Sequence, residues 1–492
     1  MGDPGVNVER QAQVRARLAA LLPAESILFE REDTRSYECD GLSAYRQQPM
    51  LVVLPANEDE VRAVLVACHD MRVPVVPRGA GTGLSGGALP MGDGVLLSLA
   101  RMKKILSLDP AARMARVQPG VRNLAISEAA APYGLYYAPD PSSQIACTIG
   151  GNVAENSGGV HCLKYGLTVH NVARVRGLTI AGEVVEFGSE ALDAAGYDLL
   201  ALMIGSEGML AVVTEVSVRL VPKPETARCI MASFDDVEKA GDAVAGIIAA
   251  GIIPAGLEMM DQAATRAVEA FAHAGYDLEA KALLLCEADG NPEEVAGEIA
   301  RMSEVLQRQG ATAIRVSRSE AERLLFWAGR KAAFPAVGRI SPDYYCMDGT
   351  IPRKRLGEML RFIAAMEAKY GLRCPNVFHA GDGNLHPLIL FDANVPDELH
   401  RTEQFAAEVL EKCIALGGTI TGEHGVGIEK INQMCVQFSA SELALMRGVK
   451  AAFDPDGLLN PAKNIPTLHR CAEHGGMHVR AGRLAHPELP RF

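Results

Sequence analysis

The sequence predicts an α+β protein built from two domains and a proline-rich linker. Strand-like runs alternate with amphipathic helical runs, Gly-rich loops interrupt the first half, and Pro222-Lys223-Pro224 separates the two halves. The length of 492 residues leaves ample material for two or three buried cores. We expect a helical segment at 1–45, a first domain at 46–225, a second domain at 226–440 and a C-terminal segment at 441–492.

The composition excludes several classes of function. Hydrophobic residues make up 48% and charged residues 22%, which is typical of soluble globular proteins, and the net charge of −12 disfavours binding to nucleic acid or anionic lipid. The eleven cysteines lack Cys-x-x-Cys spacing, which indicates reduced thiols without an iron–sulfur cluster. The N-terminus has no signal-peptide pattern, and the longest apolar run, 243–257, is too short to span a bilayer. We expect a cytoplasmic protein.

The elements of the first half follow from the apolar spacing. Residues 8–22 have the pattern of an amphipathic helix, and Pro49–Pro55 that of a strand. Asn57, with Glu60 as its capping-box partner, begins the next helix, and Arg72–Val76 predicts a strand that leads into a Gly-rich loop. The later elements are strands at Val95–Leu99, Ile105–Pro119 and Ala211–Val221 and a helix at Leu124–Ala131 capped by Asn123.

The first Gly-rich loop, Pro77–Gly87, can bring its backbone close to a bulky ligand. Its N–H groups, together with Thr82, Ser85 and Arg78, can form an anion-binding nest that suits a pyrophosphate. The glycine spacing formally matches the Rossmann fingerprint, but Pro90 and the glycines after it cannot open the helix which that fingerprint requires. A Gly-rich turn without a ligand is the alternative.

Two further Gly-rich regions follow, at 138–159 and 204–210. The small residues and amides of the first suit a flat heteroaromatic ring and a ribityl or ribose chain lying against the backbone. The alternative is a long irregular loop, although loops of such length inside compact domains are usually functional.

The second half predicts antiparallel strands with helices on one face. Strand-like runs at Arg228–Phe234 and Lys281–Ala288 alternate with helical runs at Val237–Ala250 and Pro292–Gln309.

The second half also carries a group of residues suited to metal binding. His379 and His386 flank a Gly-Asp-Gly-Asn turn, so they stand on opposite arms of a hairpin-like bend that can bring both imidazoles to one metal. Glu423 could complete a set of two histidines and one carboxylate, while the adjacent His424 points to the opposite side if this segment is extended. An incidental, structural pair of histidines is the alternative.

The tail offers a less regular set of possible ligands. His469, Cys471, His474 and His478 have irregular spacing in a polar terminal segment. We expect an extended arm after Pro466 that contacts a partner subunit, rather than a metal site.

Four motifs of the first half resemble the FAD-binding domain of the vanillyl-alcohol oxidase/PCMH family. They are Pro77–Gly87, Asp140-Pro141-Ser142-Ser143, Thr148-x-Gly150-Gly151-Asn152 and Gly205-Ser206-Glu207-Gly208. The later motifs are similar to the 2-hydroxy-acid dehydrogenase branch, with D-lactate and D-2-hydroxyglutarate dehydrogenases and the FAD-linked subunits of bacterial glycolate oxidases. The resemblance covers nearly the whole chain. It implies a two-part PCMH-type FAD-binding domain, an α+β cap domain over the isoalloxazine and a C-terminal segment that returns to the FAD domain.

The resemblance also implies roles for individual residues. Zn²⁺, Mn²⁺ or Fe²⁺ would be bound by His379, His386 and Glu423, and His424 would act as the base. Arg330 matches an arginine that binds the substrate carboxylate, although a surface arginine on a helix is the alternative. Some relatives link FAD to a histidine in the first Gly-rich loop; this loop has none, so FAD is expected to be non-covalent. The implied FAD-binding residues are Pro77, Arg78, Gly79, Ala80, Gly81, Thr82, Gly83, Leu84, Ser85, Asp140, Ser142, Ser143, Thr148, Gly150, Gly151, Asn152, Ala154, Asn156, Gly158, Gly159, Gly205, Glu207, Gly208, Leu210, Val213 and Asn460.

The expected substrate is a small 2-hydroxy acid. Phe334 and Cys346 replace a polar residue and a lysine of the 2-hydroxyglutarate enzymes, so groups for a distal carboxylate are missing. Glycolate fits, oxidised to glyoxylate, with D-lactate or D-2-hydroxyglutarate as alternatives. The resemblance implies a second flavin-domain subunit and an iron–sulfur subunit that pass electrons to quinone at the inner face of the membrane. Two hypotheses from other functional classes are a non-catalytic electron-relay subunit and a metal-only oxygenase.

Overall fold

The computed structural model describes residues 7–191 and 195–466. Within these ranges the chain has the predicted α+β class, with one lobe formed by the first half and a second lobe, the cap domain, formed by most of the second. The four tail residues His469, Cys471, His474 and His478 lie outside the described ranges. Nowhere in the described part is there a helix both long and apolar enough to span a bilayer.

The first lobe begins with a four-stranded sheet of order β1-β2-β4-β3. Its strands are β1 (Ile27–Leu28), β2 (Leu51–Val53), β3 (Val75–Arg78) and β4 (Val95–Ser98), and the helices of this region are α1 (Val8–Ala19), α2 (Arg31–Thr34) and α3 (Glu58–Asp70). Asn57 caps α3 as predicted, since its Oδ1 accepts from the Glu60 N–H at 3.0 Å; Glu60 itself accepts from Ala56 N–H at 2.7 Å. Strand β3 runs directly into the first Gly-rich loop.

A five-stranded antiparallel sheet of order β5-β6-β10-β8-β9 completes this lobe. The strands of this sheet are β5 (Ile105–Asp109), β6 (Met114–Val117), β8 (Val172–Leu178), β9 (Val184–Gly188) and β10 (Val212–Arg219). Two further strands, β7 (Leu135–Tyr136) and β11 (Val221–Pro222), form a separate pair. The helices are α4 (Asn123–Ala130), α5 (Ile149–Glu155), α6 (Cys162–Tyr165), α7 (Thr168–Asn171) and α8 (Leu199–Met203).

One prediction for this lobe is wrong. Asn123 does not cap α4; it is the first helical residue, and its Nδ2 donates to Pro139 O at 3.1 Å and to Asn152 Oδ1 at 3.0 Å. The alternative of a long irregular loop for the second Gly-rich region does not hold, because the region contains α5, which ends at Asn156 in the left-handed conformation (φ 55°). The asparagine pair therefore fastens α5 to the start of α4 instead of closing a helix end.

The cap domain is a seven-stranded antiparallel sheet of order β15-β12-β14-β13-β17-β18-β16. Its strands are β12 (Thr226–Phe234), β13 (Gly256–Asp261), β14 (Ala282–Gly290), β15 (Ala313–Val316), β16 (Asp343–Cys346), β17 (Asn376–His379) and β18 (Asn384–Phe391). Helices cover both faces of this sheet, which corrects the expectation of one face. Cys229 and Met231 point into one apolar cluster and Ile230 and Ala232 into the other. The near-continuous apolar run of β12 is what burial on two sides requires.

Each face of the cap sheet has its own set of helices. One face packs against α9 (Val237–Ala249), α11 (Pro292–Arg308), α14 (Leu356–Tyr370) and α15 (Glu398–Ala415), and the other against α10 (Gln262–Ala272), α12 (Glu320–Lys331) and α13 (Ala333–Val337).

The end of the described chain returns to the first lobe, as the resemblance implied. After α16 (Met434–Gln437) and α17 (Ala440–Phe453), Leu459 forms a parallel bridge with Val75 of β3. Asn460 N–H donates to Val75 O at 2.7 Å, and its Nδ2 donates to Gly87 O and Glu207 O. The C-terminal segment thus holds two Gly-rich regions together.

Candidate active site

A cavity of about 370 Å³ lies where the Gly-rich regions meet the cap domain. Its wall on the side of the first lobe contains most of the residues expected to bind FAD. These are Pro77, Arg78, Gly79, Ala80, Gly81, Thr82, Gly83, Leu84, Ser142, Ser143, Thr148, Gly150, Gly151, Asn152, Ala154, Glu207, Gly208 and Val213. His379, His386, Glu423 and His424 line the same cavity, so one space joins the two groups that the sequence singled out.

The remaining expected FAD residues lie outside the cavity wall. They are Ser85, Asp140, Asn156, Gly158, Gly159, Gly205, Leu210 and Asn460. Several of them support the wall: Ser85 Oγ donates to His424 O at 2.9 Å, and Asn156 Oδ1 accepts from Val169 N–H at 2.9 Å. Asp140 has a different contact, 2.8 Å from His161 Nδ1.

The wall of the first lobe fits a large polar cofactor such as FAD. Gly81 has φ 72°, and a Cβ there would lie 2.1 Å from Arg78 Nη2, so the loop depends on this glycine. Thr148 Oγ1 and Asp40 Oδ2 are buried in the cavity wall and have no hydrogen-bond partner within the described ranges. Buried polar atoms normally have hydrogen-bond partners. A cofactor that forms hydrogen bonds with these two atoms explains why the protein leaves them without one.

The two histidines stand on a β-hairpin, as predicted. In the pairing of β17 with β18, His379 faces Asn384, and His386 faces Val377. Both Nε2 atoms reach the same oxygen: Glu423 Oε1 lies 2.9 Å from His386 Nε2 and 3.2 Å from His379 Nε2.

The donor atoms that lie close enough together to share a cation belong to a set that does not include His379: Asp348, His386, Glu423 and His424. Glu258 Oε1 lies 2.8 Å from His379 Nδ1, and Met347 O lies 3.1 Å from His386 Nδ1, so each Nδ1 can donate. If both imidazoles are neutral, each Nε2 carries a lone pair that faces a carboxylate oxygen. These groups repel each other unless a proton or a metal ion is shared between them.

The electrostatics of the cluster agree with that arrangement. Burial opposes protonation of His379, but Glu258 and Glu423 outweigh it and raise its pKa well above the ordinary value. Burial likewise opposes protonation of His386, whereas contacts with Cys346 and Glu423 raise its pKa to about 10. Burial would raise the pKa of the Glu423 carboxyl, but the two histidines hold it well below its usual range.

His424 differs from its neighbours. Its ring stacks on that of His386, with centroids 4.9 Å apart, yet burial lowers its pKa to about 4. The imidazole is therefore neutral near pH 7 and can accept a proton.

The segment around Glu423 and His424 is curled rather than extended. Asp348 Oδ2 accepts from the N–H groups of Gly422 at 3.0 Å and His424 at 2.9 Å. This carboxylate draws the backbone into a turn, so Glu423 and His424 both face the cavity; the expectation of opposite sides is wrong. Glu207 fastens the next residues, accepting from Val426 N–H and Gly427 N–H at 2.7 Å each.

Arg330 lies behind this cluster, and the cavity wall does not include it. Its side chain is 2% exposed, and Nε and Nη2 lie 2.8 and 2.7 Å from Glu258 Oε2. Arg330 is thus joined to His379 through Glu258. Its neighbour Lys331 lines the cavity instead.

Sequence reasoning missed Glu258 and Asp348, the carboxylates that position the cluster. A signal existed for Glu258, which is a lone acid inside the apolar run Gly256–Met260. Asp348 stands in an Asp-Gly-Thr-Ile-Pro segment, whose sequence gives no indication of the loop that it binds.

Comparisons with known proteins agree with the fold. The "FAD binding domain" family model matches residues 49–188, and "FAD linked oxidases, C-terminal domain" matches residues 223–464. The glycolate oxidase subunit GlcD of Escherichia coli K12 is 62% identical over 99% of this chain and 97% of its own. GlcD of Bacillus subtilis is 41% identical over 87% and 91%, and a D-lactate dehydrogenase of Anaerostipes hadrus is 33% identical over 89% and 94%.

Solved structures show the same fold at low sequence identity. A p-cresol methylhydroxylase superposes with a TM-score of 0.81 at 15% identity, covering 95% of this chain and 99% of that one. A 4-ethylphenol oxidase from Gulosibacter chungangensis gives 0.76 at 15% identity, covering 96% and 100%. These likenesses show the fold alone, whereas the two family models and the 62% identical relative show that the chain belongs to the FAD-linked oxidase family.

Proposed function

We propose that this protein oxidises glycolate to glyoxylate as the FAD-bearing subunit of a glycolate dehydrogenase. The observation that carries the proposal is the shared cavity, in which the Gly-rich wall faces the cluster of His379, His386, Glu423 and His424. The 62% identity to a glycolate oxidase subunit supports glycolate as the substrate. A relay subunit without catalysis would not need such a cluster, and a metal-only oxygenase would not need the Gly-rich wall.

FAD is held by the residues of the wall and, when bound, supplies the acceptor for the two electrons of the substrate. We infer non-covalent binding because Pro77–Gly87 contains no histidine. Cysteine and tyrosine could also form such links in principle, but this loop has neither.

A divalent metal, Zn²⁺, Mn²⁺ or Fe²⁺, would be held by His379, His386 and Glu423 and would polarise the hydroxyl of the substrate. The chain prepares these ligands through Glu258 and Met347, which hold the two Nδ1 atoms and leave both Nε2 atoms directed at Glu423.

His424 is the proposed base. Its Nε2 lies 4.0 Å from Glu423 Oε1, at the edge of the proposed metal ligands, so a substrate hydroxyl there can pass its proton to this ring. The lowered pKa keeps the imidazole neutral and ready for that step.

The sequence-based role of Arg330, binding the substrate carboxylate, remains a prediction. It requires the guanidinium to leave Glu258, to which two of its nitrogens are bound. In this structure Arg330 orients Glu258, and Glu258 orients His379.

The electrons are proposed to leave through partners. The cysteines of the chain are scattered and lack the spacing of an iron–sulfur ligand set. We infer a second flavin-domain subunit and an iron–sulfur subunit that carry the electrons to quinone, with a cytoplasmic position at the inner face of the membrane.

The proposal is tested by anaerobic reduction of the purified flavoprotein. Glycolate, D-lactate and D-2-hydroxyglutarate are added separately, and the loss of flavin absorbance near 450 nm is followed by stopped flow. We expect glycolate to give the highest second-order rate. Faster reduction by D-lactate would favour the second candidate, since a relative 33% identical to this chain is a D-lactate dehydrogenase.

A further inference from the structure

A cationic side chain at the entrance helps the carboxylate of a 2-hydroxy acid to enter the cavity. Glu155, Glu207 and Glu423 all line it, and the whole chain has a net charge of −12. Burial raises the pKa of Glu155 and Glu207, and Glu423 is paired with two histidines, so the repulsion comes chiefly from the net charge of the chain, which a positive side chain at the entrance offsets.

The two arginines that could provide this charge are engaged. Arg330 is buried on Glu258 and does not line the cavity. Arg78 lines it, but its Nη1 donates to Cys39 O at 2.7 Å within the first Gly-rich loop, which we assign to FAD.

Lys331 is different in each respect. It is the last residue of α12, it lines the cavity, and its side chain is exposed at the cavity edge. Throughout 7–191 and 195–466, no carboxylate oxygen forms a salt bridge with its ammonium group.

The surroundings of Lys331 strengthen a contact with an anion. Phe334, Pro335 and Tyr344 line the neighbouring wall, and the rings of Phe334 and Tyr344 have centroids 5.8 Å apart. Apolar neighbours lower the local dielectric constant, so the attraction within a charge pair beside them is stronger than in open water.

We propose that Lys331 receives the carboxylate of the 2-hydroxy acid as it enters the cavity, while Arg330 orients Glu258. The role rests on the proposed function, because it presumes an anionic substrate. Lys331 is a binding residue that supplies charge at the entrance, and it takes no part in the transfer of the proton or electrons.

The test compares Lys331→Gln with Lys354→Gln in the purified flavoprotein. Lys354 is an exposed lysine of the same cap domain that does not line the cavity, so its loss matches the change in net charge. Two readouts are used: the KM for glycolate at several ionic strengths, and the Kd of oxalate, an anion that cannot be oxidised by hydrogen transfer, from the shift it causes in the oxidised flavin spectrum.

We expect Lys331→Gln to raise both the KM and the oxalate Kd about tenfold, the loss of one charge-assisted hydrogen bond, with kcat changed less than about threefold. The increase of KM with salt should become shallower in this variant. Lys354→Gln should match the wild type in every respect. The neutral analogue glycolamide, as a competitive inhibitor, should bind the wild type and Lys331→Gln equally.

An unchanged oxalate Kd and salt dependence in Lys331→Gln would overturn the inference, even if glycolate is the substrate. A failure of the proposed function looks different: glycolate then fails to reduce the wild-type flavin. In that case the same comparison is made with whichever 2-hydroxy acid does reduce it, and the oxalate measurement is unaffected.

Discussion

Glu258 Oε1 lies 2.8 Å from His379 Nδ1, although 121 residues separate the two along the chain. The contact exists because β13, which carries Glu258, pairs with β17, which carries His379. The other oxygen of Glu258 is bound by Arg330. This carboxylate is fully buried and satisfied on both sides, so it fixes the orientation of one proposed metal ligand.

Glu258→Gln should weaken metal binding. The amide oxygen can still accept from His379 Nδ1, but the negative charge that makes the imidazole a better ligand is lost. We expect metal affinity to fall about 10- to 100-fold, measured by competition with a chelator and elemental analysis. Glu304→Gln, at an exposed position of α11, is the control and should bind metal as the wild type does. Equal affinity in both variants would show that Glu258 has no part in the metal site.

Alanine substitutions of His424 and His379 should have different effects. His424→Ala should keep flavin and metal but lose at least about 10²-fold in the rate of flavin reduction by glycolate, because the proton acceptor is gone. His379→Ala should lose metal as well. Flavin content, metal content and stopped-flow reduction distinguish the two. Metal loss in His424→Ala with metal retained in His379→Ala would reverse the assignment.

The flavin should be released by denaturation. With no histidine in Pro77–Gly87, nothing in this loop provides the link that some relatives use. Acid precipitation of the purified protein should leave the yellow colour entirely in the supernatant, measured by absorbance and by the mass of the precipitated chain. Flavin that stays with the pellet contradicts non-covalent binding.

The contact between the lobes should weaken at alkaline pH. Burial opposes protonation of His161, but Asp140 and Glu287 outweigh it and raise its pKa to about 10 from an ordinary 6.5. The folded state therefore holds a proton that the unfolded chain releases above pH 6.5. This stability is fully present below about pH 6.5 and is lost as the pH rises through about 10, by up to about 1.4 kcal/mol per pH unit.

The measurement for His161 is the Tm of the flavoprotein between pH 6 and 10. The neighbouring ion pairs of Arg323 with Glu287 and of Lys164 with Asp289 are present in both the variant and the wild type, so they form a common background. His161→Gln keeps a hydrogen-bonding side chain without the titration, so its Tm should fall less steeply with pH. Identical slopes for the variant and the wild type would show that the His161 contact does not carry the effect.

The isolated chain should reduce a dye but not quinone held in a membrane. A soluble one- or two-electron dye can reach the flavin directly, whereas quinone in a membrane needs the proposed partners. Glycolate-dependent reduction of dichlorophenolindophenol and of a long-chain quinone held in lipid vesicles are compared in the purified chain. Rapid quinone reduction, or rapid oxygen use with peroxide release, would mean that the chain works as a self-sufficient dehydrogenase or oxidase.

The sequence alone determined the features that depend on neighbouring residues. The Asn57 cap, the Gly-rich loop after a strand and the hairpin that brings His379 and His386 together all follow from local spacing, because the groups involved lie within a few residues of each other. The class of the fold was accessible for the same reason, since each strand and helix carries its own pattern of apolar residues.

Only the tertiary structure decided what surrounds those features. Asp348 curls the segment of Glu423 and His424 from 76 residues away, and Asn460 reaches Gly87 across 373 residues. Helices on both faces of the cap sheet, the engagement of Arg330 by Glu258 and the placement of Lys331 in the cavity wall depend equally on distant segments. A local pattern cannot reveal which distant group will satisfy a buried charge or backbone N–H, because that choice is made when the sheets pair and the lobes pack.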